Sequence, residues 1–342
     1  MQDRFEEIEA EKGSLLRQRI SELGLSIKGT LLEQLVNRLY EELAAKSLVL
    51  RPPVYLSDQW GCPDGTPLIG VPFYLADPRL LKLEEEYAID VEGELDVMRY
   101  LRHEAGHAFN YAYRLYDRPE WRRIFGPYSR PYRERYRVNP FSRAYVRHIL
   151  GWYAQKHPDE DFAETFAVWL TPGLDWRAEY QGWPALGKLE YVEQLMGEVG
   201  SEMPEVPAVT EDDLPVEAMD YTIEEHYSDA LEPLPVEDER HFDGDLRTIF
   251  ATAAEAPAGE DAAAFLRRHR REIVRRIAYW TGEGAMTTRA FVDLLTQRAA
   301  ALGLRVRGLE ASTLIELTAF GTAVMMNYRH TNALDGTPSD DE

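Results

Sequence analysis

Leu101-Arg102-His103-Glu104-Ala105-Gly106-His107-Ala108-Phe109 is the stretch on which the reading of this chain turns. Two histidines four residues apart project from one face of a helix, near enough to bind a single metal ion. Glu104 stands beside them, where the carboxylate of an H-E-x-x-H helix acts on a water at the metal. The surrounding residues predict a helix from about Asp90 or Glu92 to about Leu115. Leu95, Met98, Leu101, Ala105, Ala108 and Ala112 recur along one face, acids at Glu92, Glu94 and Asp96 suit the N-terminal end, and Arg114 suits the C-terminal end. His103 and His107 then fall in mid-helix, where the backbone is stiff. The five-residue pattern alone does not make an enzyme. The rest of the chain must add a third ligand and a cleft.

A metzincin continuation would place glycine and a third histidine where this chain has Asn110 and Tyr113, so that route is closed. Cys62 is the single cysteine, which excludes an internal disulfide and a thiolate metal cage. It sits in the turn-like Trp60-Gly-Cys-Pro-Asp-Gly with no base tied to it, so it does not read as a nucleophile. Further on, Pro158 or Asp159 can open a helix that Pro172-Gly173 closes. Phe162, Phe166 and Trp169 can pack inward, while Glu160 and Glu164 share another face at i, i+4. Two like charges one turn apart repel slightly unless a cation lies close by.

The set Arg-His-Glu-Ala-Gly-His at 102–107, Trp-Tyr-Ala-Gln at 152–155 and His-Pro-Asp-Glu-Asp-Phe-Ala-Glu-Thr-Phe-Ala at 157–167 resembles the bacterial family described as "putative zinc-binding metallopeptidase". The similarity spans roughly residues 15–200 and includes Pro72-Phe-Tyr-Leu-Ala76. Glu160-Asp-Phe-Ala-Glu164 looks like the second-helix E-x-x-x-[DE] signature of gluzincins. That resemblance implies one zinc ion held by His103, His107 and Glu160, with Glu164 fixing the tautomer of a ligating histidine. Asp161 competes with Glu160 but lies about 100° around the helix. Tyr153, seven residues before Glu160, resembles in position a tyrosine of anthrax lethal factor, a gluzincin with a similar helix. Either Tyr153 or His157 is then the donor to a developing oxyanion, and Glu104 is the general base. His148, His226, His241, His269 and His330 show no partner pattern.

The implied fold class is α+β, mainly helical: a zincin-like metallopeptidase domain with a small edge sheet, followed by a helical C-terminal region. Residues 1–200 make that domain. Leu15, Leu16, Ile20 and Leu23, and then Leu31, Leu32, Leu35, Leu39 and Leu43, predict a helical packing unit within residues 2–47. Leu48–Asp58 predicts a strand interrupted by Pro52-Pro53, and 67–76 a strand whose Pro72 places it at an edge, where an extended peptide could pair. Between Tyr128 and Arg147 six arginines (130, 133, 135, 137, 143, 147) meet one acid, Glu134, in a proline-punctuated irregular segment. Such a patch either binds an anionic substrate group or pairs with the chain's own acids. A helix is expected around Leu186–Val199. Residues 201–240 hold 14 acids, one base and five prolines and read as a linker that could lie over the cleft. Residues 241–330 are helical, broken by Gly282, Gly284, Gly303 and Gly308, and offer a surface for a protein partner. Residues 331–342 read as a disordered tail.

The 342 residues carry a net charge of −22, which opposes nucleic-acid binding. The acidic N-terminus has no apolar signal segment, and no run of 18 apolar residues exists, so a cytoplasmic chain without a membrane span is expected. The leading function is a zinc-dependent metallopeptidase acting on a peptide or protein. Two alternatives are a zinc amidase acting on a small or modified substrate and a scaffold protein with a structural metal.

Overall fold

A computed structural model describes residues 12–87, 93–133, 136–149, 151–207, 215–228, 239–331 and 333–334. The chain divides into two compact units, Met1–Leu83 with Glu92–Tyr227, and Glu84–Val91 with Ser228–Glu342. In chain order the longer elements are α1 (Leu31–Ala45), β1 (Val54–Ser57), β2 (Ile69–Pro72), α2 (Pro78–Tyr87), α3 (Glu94–Ala112), α4 (Pro119–Phe125), α5 (Pro158–Leu170) and α6 (Ala185–Val199). They are followed by α7 (Asp243–Ile249), α8 (Ala262–Thr281), α9 (Ala285–Ala301) and α10 (Glu310–Thr331). The architecture is mainly helical with one small sheet, as an α+β reading requires.

The first unit is organised around α3 and α5. Glu94 and Asp96 lie in the first turn of α3, where carboxylates favour the positive end of the helix dipole. The residues before Gly93 that were expected to start it lie outside the described residues. Helix α3 stops at Ala112 rather than Leu115, because Arg114 takes a left-handed backbone (φ 45°). Every residue from Leu101 to Ala112 is buried. Helix α5 matches the expected boundaries: the His157 side chain caps its N-terminus by accepting from the Asp159 N–H at 3.2 Å, with Pro158 in the first turn. All thirteen residues of α5 are buried.

The close approach of these helices depends on Gly106. A Cβ there would lie 2.7 Å from Ala163 Cα, and backbone cannot move aside as a side-chain tip can. Helix α1 is fastened to α3 by a buried bidentate pair, with the Arg102 guanidinium donating to both oxygens of Glu42 at 2.7 and 2.8 Å. The start of α1 is set by reciprocal capping: Thr30 accepts from the Glu33 N–H, and the Glu33 carboxylate accepts from the Gly29 N–H at 2.7 Å.

Strand β1 begins just after Pro52-Pro53, which lack the N–H groups a ladder needs, and pairs in parallel with β2 from Val54↔Ile69 to Ser57↔Pro72. The other side of β2 is not free at Gly70, where Gly61 forms an antiparallel bridge through both of its backbone groups. All four residues of β2 are buried. The expected open edge for an extended peptide is therefore already covered at that residue.

Residues 127–149 are irregular among the described positions, as the prolines predict. Within the acidic stretch, Val216, Met219 and Ile223 are buried. Ile20 and Ser21 donate backbone hydrogen bonds to Tyr221 and Met219, and Ile223 donates to Gln18. Residues 208–214 and 229–238, and the tail from 335, lie outside the described residues.

The second unit packs α7 to α10 around Phe242, Leu266, Phe265, Ile277, Phe291 and Met325. Asp261 caps α8 by accepting from the Ala264 N–H, and Gly282 ends it at φ 68°. Asp243 and Arg298 form a bidentate pair at 2.9 Å on each arm. Among the described residues no helix is long and apolar enough to cross a membrane.

Candidate metal centre

The crossing of α3 and α5 brings His103, His107 and Glu160 into one cluster, with a ligand atom from each lying within 4.8 Å of the others. His103 Nε2 is 3.0 Å from Glu160 Oε2, His107 Nε2 is 3.1 Å from the same oxygen, and the two Nε2 atoms are 3.1 Å apart. The far side of each ring decides which nitrogen carries hydrogen. His103 Nδ1 faces Glu164 Oε1 at 2.9 Å, and His107 Nδ1 faces Asp159 Oδ2 at 3.0 Å. A carboxylate can only accept, so both rings donate from Nδ1 and turn Nε2 lone pairs inward. With the rings neutral, two lone pairs and a carboxylate oxygen converge on one point, where a metal cation could take the place of the ring protons. The donor set of two imidazoles and one carboxylate is one that zinc takes with a fourth position open.

The local field favours positive charge here, whether carried by ring protons or by a metal ion. Burial opposes charge on His103, yet hydrogen bonds with Glu160 and Glu164 raise its pKa to about 9. His107 is likewise raised despite burial, through Asp159 and Glu160. Glu160 is buried too, but the two histidines hold its carboxyl well below the usual range.

Each carboxylate around the cluster is itself held. Glu164 accepts from the backbone N–H of Ile149 at 2.9 Å and of His148 at 3.2 Å, so the irregular segment anchors the residue that anchors His103. Asp159 accepts from Tyr111 Oη and Asn110 Nδ2, each at 2.6 Å, as well as from His107. Sequence reasoning missed Asp159. Its signal was available: it precedes Glu160 in the first turn, and Asn110 and Tyr111 lie three and four residues beyond His107 on the same helix. Asn110 sits at the position that closed the metzincin route. Asp161 turns away and pairs with Lys188 Nζ at 2.6 Å, and burial raises its pKa to about 7 against the pull of that ammonium.

Glu104 lines the same cavity, which has a volume of about 690 Å³. Its Oε2 is buried and has no hydrogen-bond partner, and burial raises its pKa. Cys62 also lines the cavity, but its thiol donates to the Glu104 carbonyl at 3.3 Å, and burial with the nearby acids pushes its pKa up. It is a neutral thiol, not an activated nucleophile.

Tyr153 and His157 both border the cavity. His157 spends both ring nitrogens on the backbone, accepting from the Asp159 N–H and donating from Nε2 to the Arg130 carbonyl at 2.8 Å. The Tyr153 hydroxyl is 3.2 Å from that of Tyr132, and the Tyr132 hydroxyl donates to Glu160 Oε1 at 2.5 Å. Since the proton of Tyr132 goes to the carboxylate, Tyr153 is the donor between the two phenols. Burial raises Tyr153 far above the ordinary phenol range, so it keeps its proton. Tyr132 carried no motif and was also missed. Of the expected cationic patch, Arg130 lines the cavity, whereas Arg143 and Arg147 stack on the Trp183 ring at 5.6 and 5.5 Å. Arg133 and Arg137 are exposed, and Arg135 lies outside the described residues.

Fold and site thus bring His103, His107 and Glu160, from two crossing helices, to where they could hold a metal ion, with the Glu104 carboxylate lining the same cavity. Residues 91–174 match the family model described as "putative zinc-binding metallo-peptidase". That segment holds α3, α4, α5 and the irregular chain between α4 and α5. No curated protein and no solved structure matches the chain.

Proposed function

We propose that this chain is a zinc-dependent peptidase in which His103, His107 and Glu160 hold the metal and Glu104 is the general base. The observation that carries the reading is the pairing of three inward-facing ligand atoms with the unpartnered Oε2 of Glu104 in one cavity. The cluster has three protein ligands among the described residues, the number found at catalytic rather than structural zinc sites. A purely structural site would also have no use for a buried, unsatisfied carboxylate.

Zinc bound there would supply Lewis acidity, polarising the scissile carbonyl and easing deprotonation of the attacking water. Glu104, with its pKa raised by burial, takes the proton of that water and delivers it to the leaving amine. Tyr153 keeps its proton and donates it as a hydrogen bond to the oxyanion, while His157, with both nitrogens engaged, holds the start of α5. Glu164 and Asp159 keep the imidazoles in the tautomer that presents Nε2.

Glu104→Gln protein is expected to retain zinc at the wild-type stoichiometry and to lose about 10²–10⁴-fold in cleavage of a peptide library. Unchanged turnover would sink the assignment. Zinc-loaded wild-type protein that cleaves no member of the library would favour an amidase using the same residues on a smaller substrate.

A further inference from the structure

We infer that Tyr132 is a positioning residue of the metal centre: its hydroxyl holds the second oxygen of Glu160 and so keeps that ligand monodentate. The inference rests on the metal-site reading above and concerns how the site stays open. The two oxygens of Glu160 have separate surroundings. Oε2 faces both histidine Nε2 atoms at 3.0 and 3.1 Å, while Oε1 accepts from Tyr132 at 2.5 Å. A carboxylate that turned both oxygens to the cation would fill two coordination positions and leave less room for substrate oxygen. A short, charge-assisted hydrogen bond to Oε1 competes directly with that second contact.

The placement of Tyr132 is specific. Its residue is 49% exposed, on the irregular segment that follows α4, yet its hydroxyl reaches a carboxylate that is 4% exposed. The ring rests beside that of His157, with centroids 5.4 Å apart. One evident hold is the Lys156 ammonium, 4.3 Å from the ring centroid. That ammonium also lies 5.3 Å from the Tyr153 ring, so the two phenols share one cationic support beside the metal cluster. Glu164 and Asp159 orient the histidines in the same way. With Tyr132 on Glu160, each of the three ligands has its own hydrogen-bonded partner, a condition that commonly governs metal affinity as well as rate.

The test compares full-length wild type, Tyr132→Phe and Tyr153→Phe. Zinc affinity is measured by competition with a chromophoric chelator, and coordination by the visible spectrum of the cobalt-substituted proteins. Tyr132→Phe, which preserves ring shape, is expected to weaken zinc binding about 10- to 100-fold. It should also reduce the cobalt band intensity as the carboxylate gains its second contact. Tyr153→Phe, which leaves the bond from Tyr132 to Glu160 in place, should weaken zinc binding far less than Tyr132→Phe. Tyr132→Phe protein with wild-type affinity and spectrum would overturn the inference. Wild-type protein that takes up neither metal would overturn the metal site and this inference together. Because neither readout is catalytic, a chain that binds zinc as expected but cleaves no peptide fails the peptidase reading alone.

Discussion

Helices α5 and α8 solve the problem of burial in opposite ways. Helix α8 is 20 residues long, and its buried positions, from Ala262 to Thr281, carry no ionisable side chain. Its arginines stay outside, as in the exposed bridges of Arg268 to Glu260 and Glu310. Helix α5 buries all thirteen residues, including Asp159, Glu160, Asp161 and Glu164. Four carboxylates out of water are very costly unless each is paired and hydrogen-bonded. Each is held by a partner, although one oxygen of Asp161 stays buried without a hydrogen bond: Asp159 by His107, Asn110 and Tyr111, Glu160 by the two histidines and Tyr132, Asp161 by Lys188, and Glu164 by His103 and two backbone amides. The second unit is held by volume filling, the centre of the first by polar satisfaction. Such a burden adds little to stability.

The sharpest test of that contrast sets two ion pairs side by side. Arg102→Ala strips the buried Glu42 of its bidentate partner and leaves it only the half-exposed Arg38 at 3.4 Å, and is expected to destabilise the protein by about 3 kcal/mol in urea unfolding. Arg268→Ala removes exposed bridges in the second unit and is expected to change stability by less than about 1 kcal/mol. Equal effects would dissolve the distinction. The next effect is metal removal. At a free zinc concentration about 1,000 times its dissociation constant, binding stabilises the folded state by about 4 kcal/mol. Chelation is therefore expected to speed amide hydrogen exchange in α3 and α5 and to leave α8 to α10 unchanged. Acceleration of both sets to the same degree would show that the centre is not where the metal acts.

The same contrast explains what could be read before the structure. Helical boundaries at Pro158–Leu170 followed from local signals: Pro158 or Asp159 to open the helix and Pro172-Gly173 behind it. The three residues of the cluster were legible because two sit on one helix face and the third in a recognisable E-x-x-x-E pattern. Gly106 was visible only as a filler within H-E-x-x-H, since its purpose is a contact with Ala163 57 residues away. Tyr132 was hidden for a related reason. It lies in a segment without periodicity, and its role depends on how that segment folds back over α5 rather than on any spacing. Asp159 was overlooked because a helix-starting acid already had a sufficient local explanation in the dipole.

His148 gives the smallest and most specific prediction, because it is an ionisable group kept neutral inside the polar half of the comparison. Its Nε2 lies 3.0 Å from the Arg99 carbonyl and therefore donates to it. Burial lowers its pKa from the ordinary 6.5 to about 4, aided by the charges of His103 and Arg99 and opposed by Glu164 and the bond to Arg99. Below pH 6.5 the unfolded chain takes up a proton that the folded chain refuses until near pH 4. The associated stability is therefore complete above pH 6.5 and is lost as pH falls towards 4. His148→Gln keeps a donor for the Arg99 carbonyl and removes this titration. Wild type should thus lose about 2–3 kcal/mol more than the variant between pH 7 and pH 4, read from urea midpoints at each pH. Other groups titrate in both proteins and cancel in the difference. A variant that loses stability as steeply as wild type would mean that His148 is protonated in the folded protein, and that Glu164 tolerates a second cation beside His103.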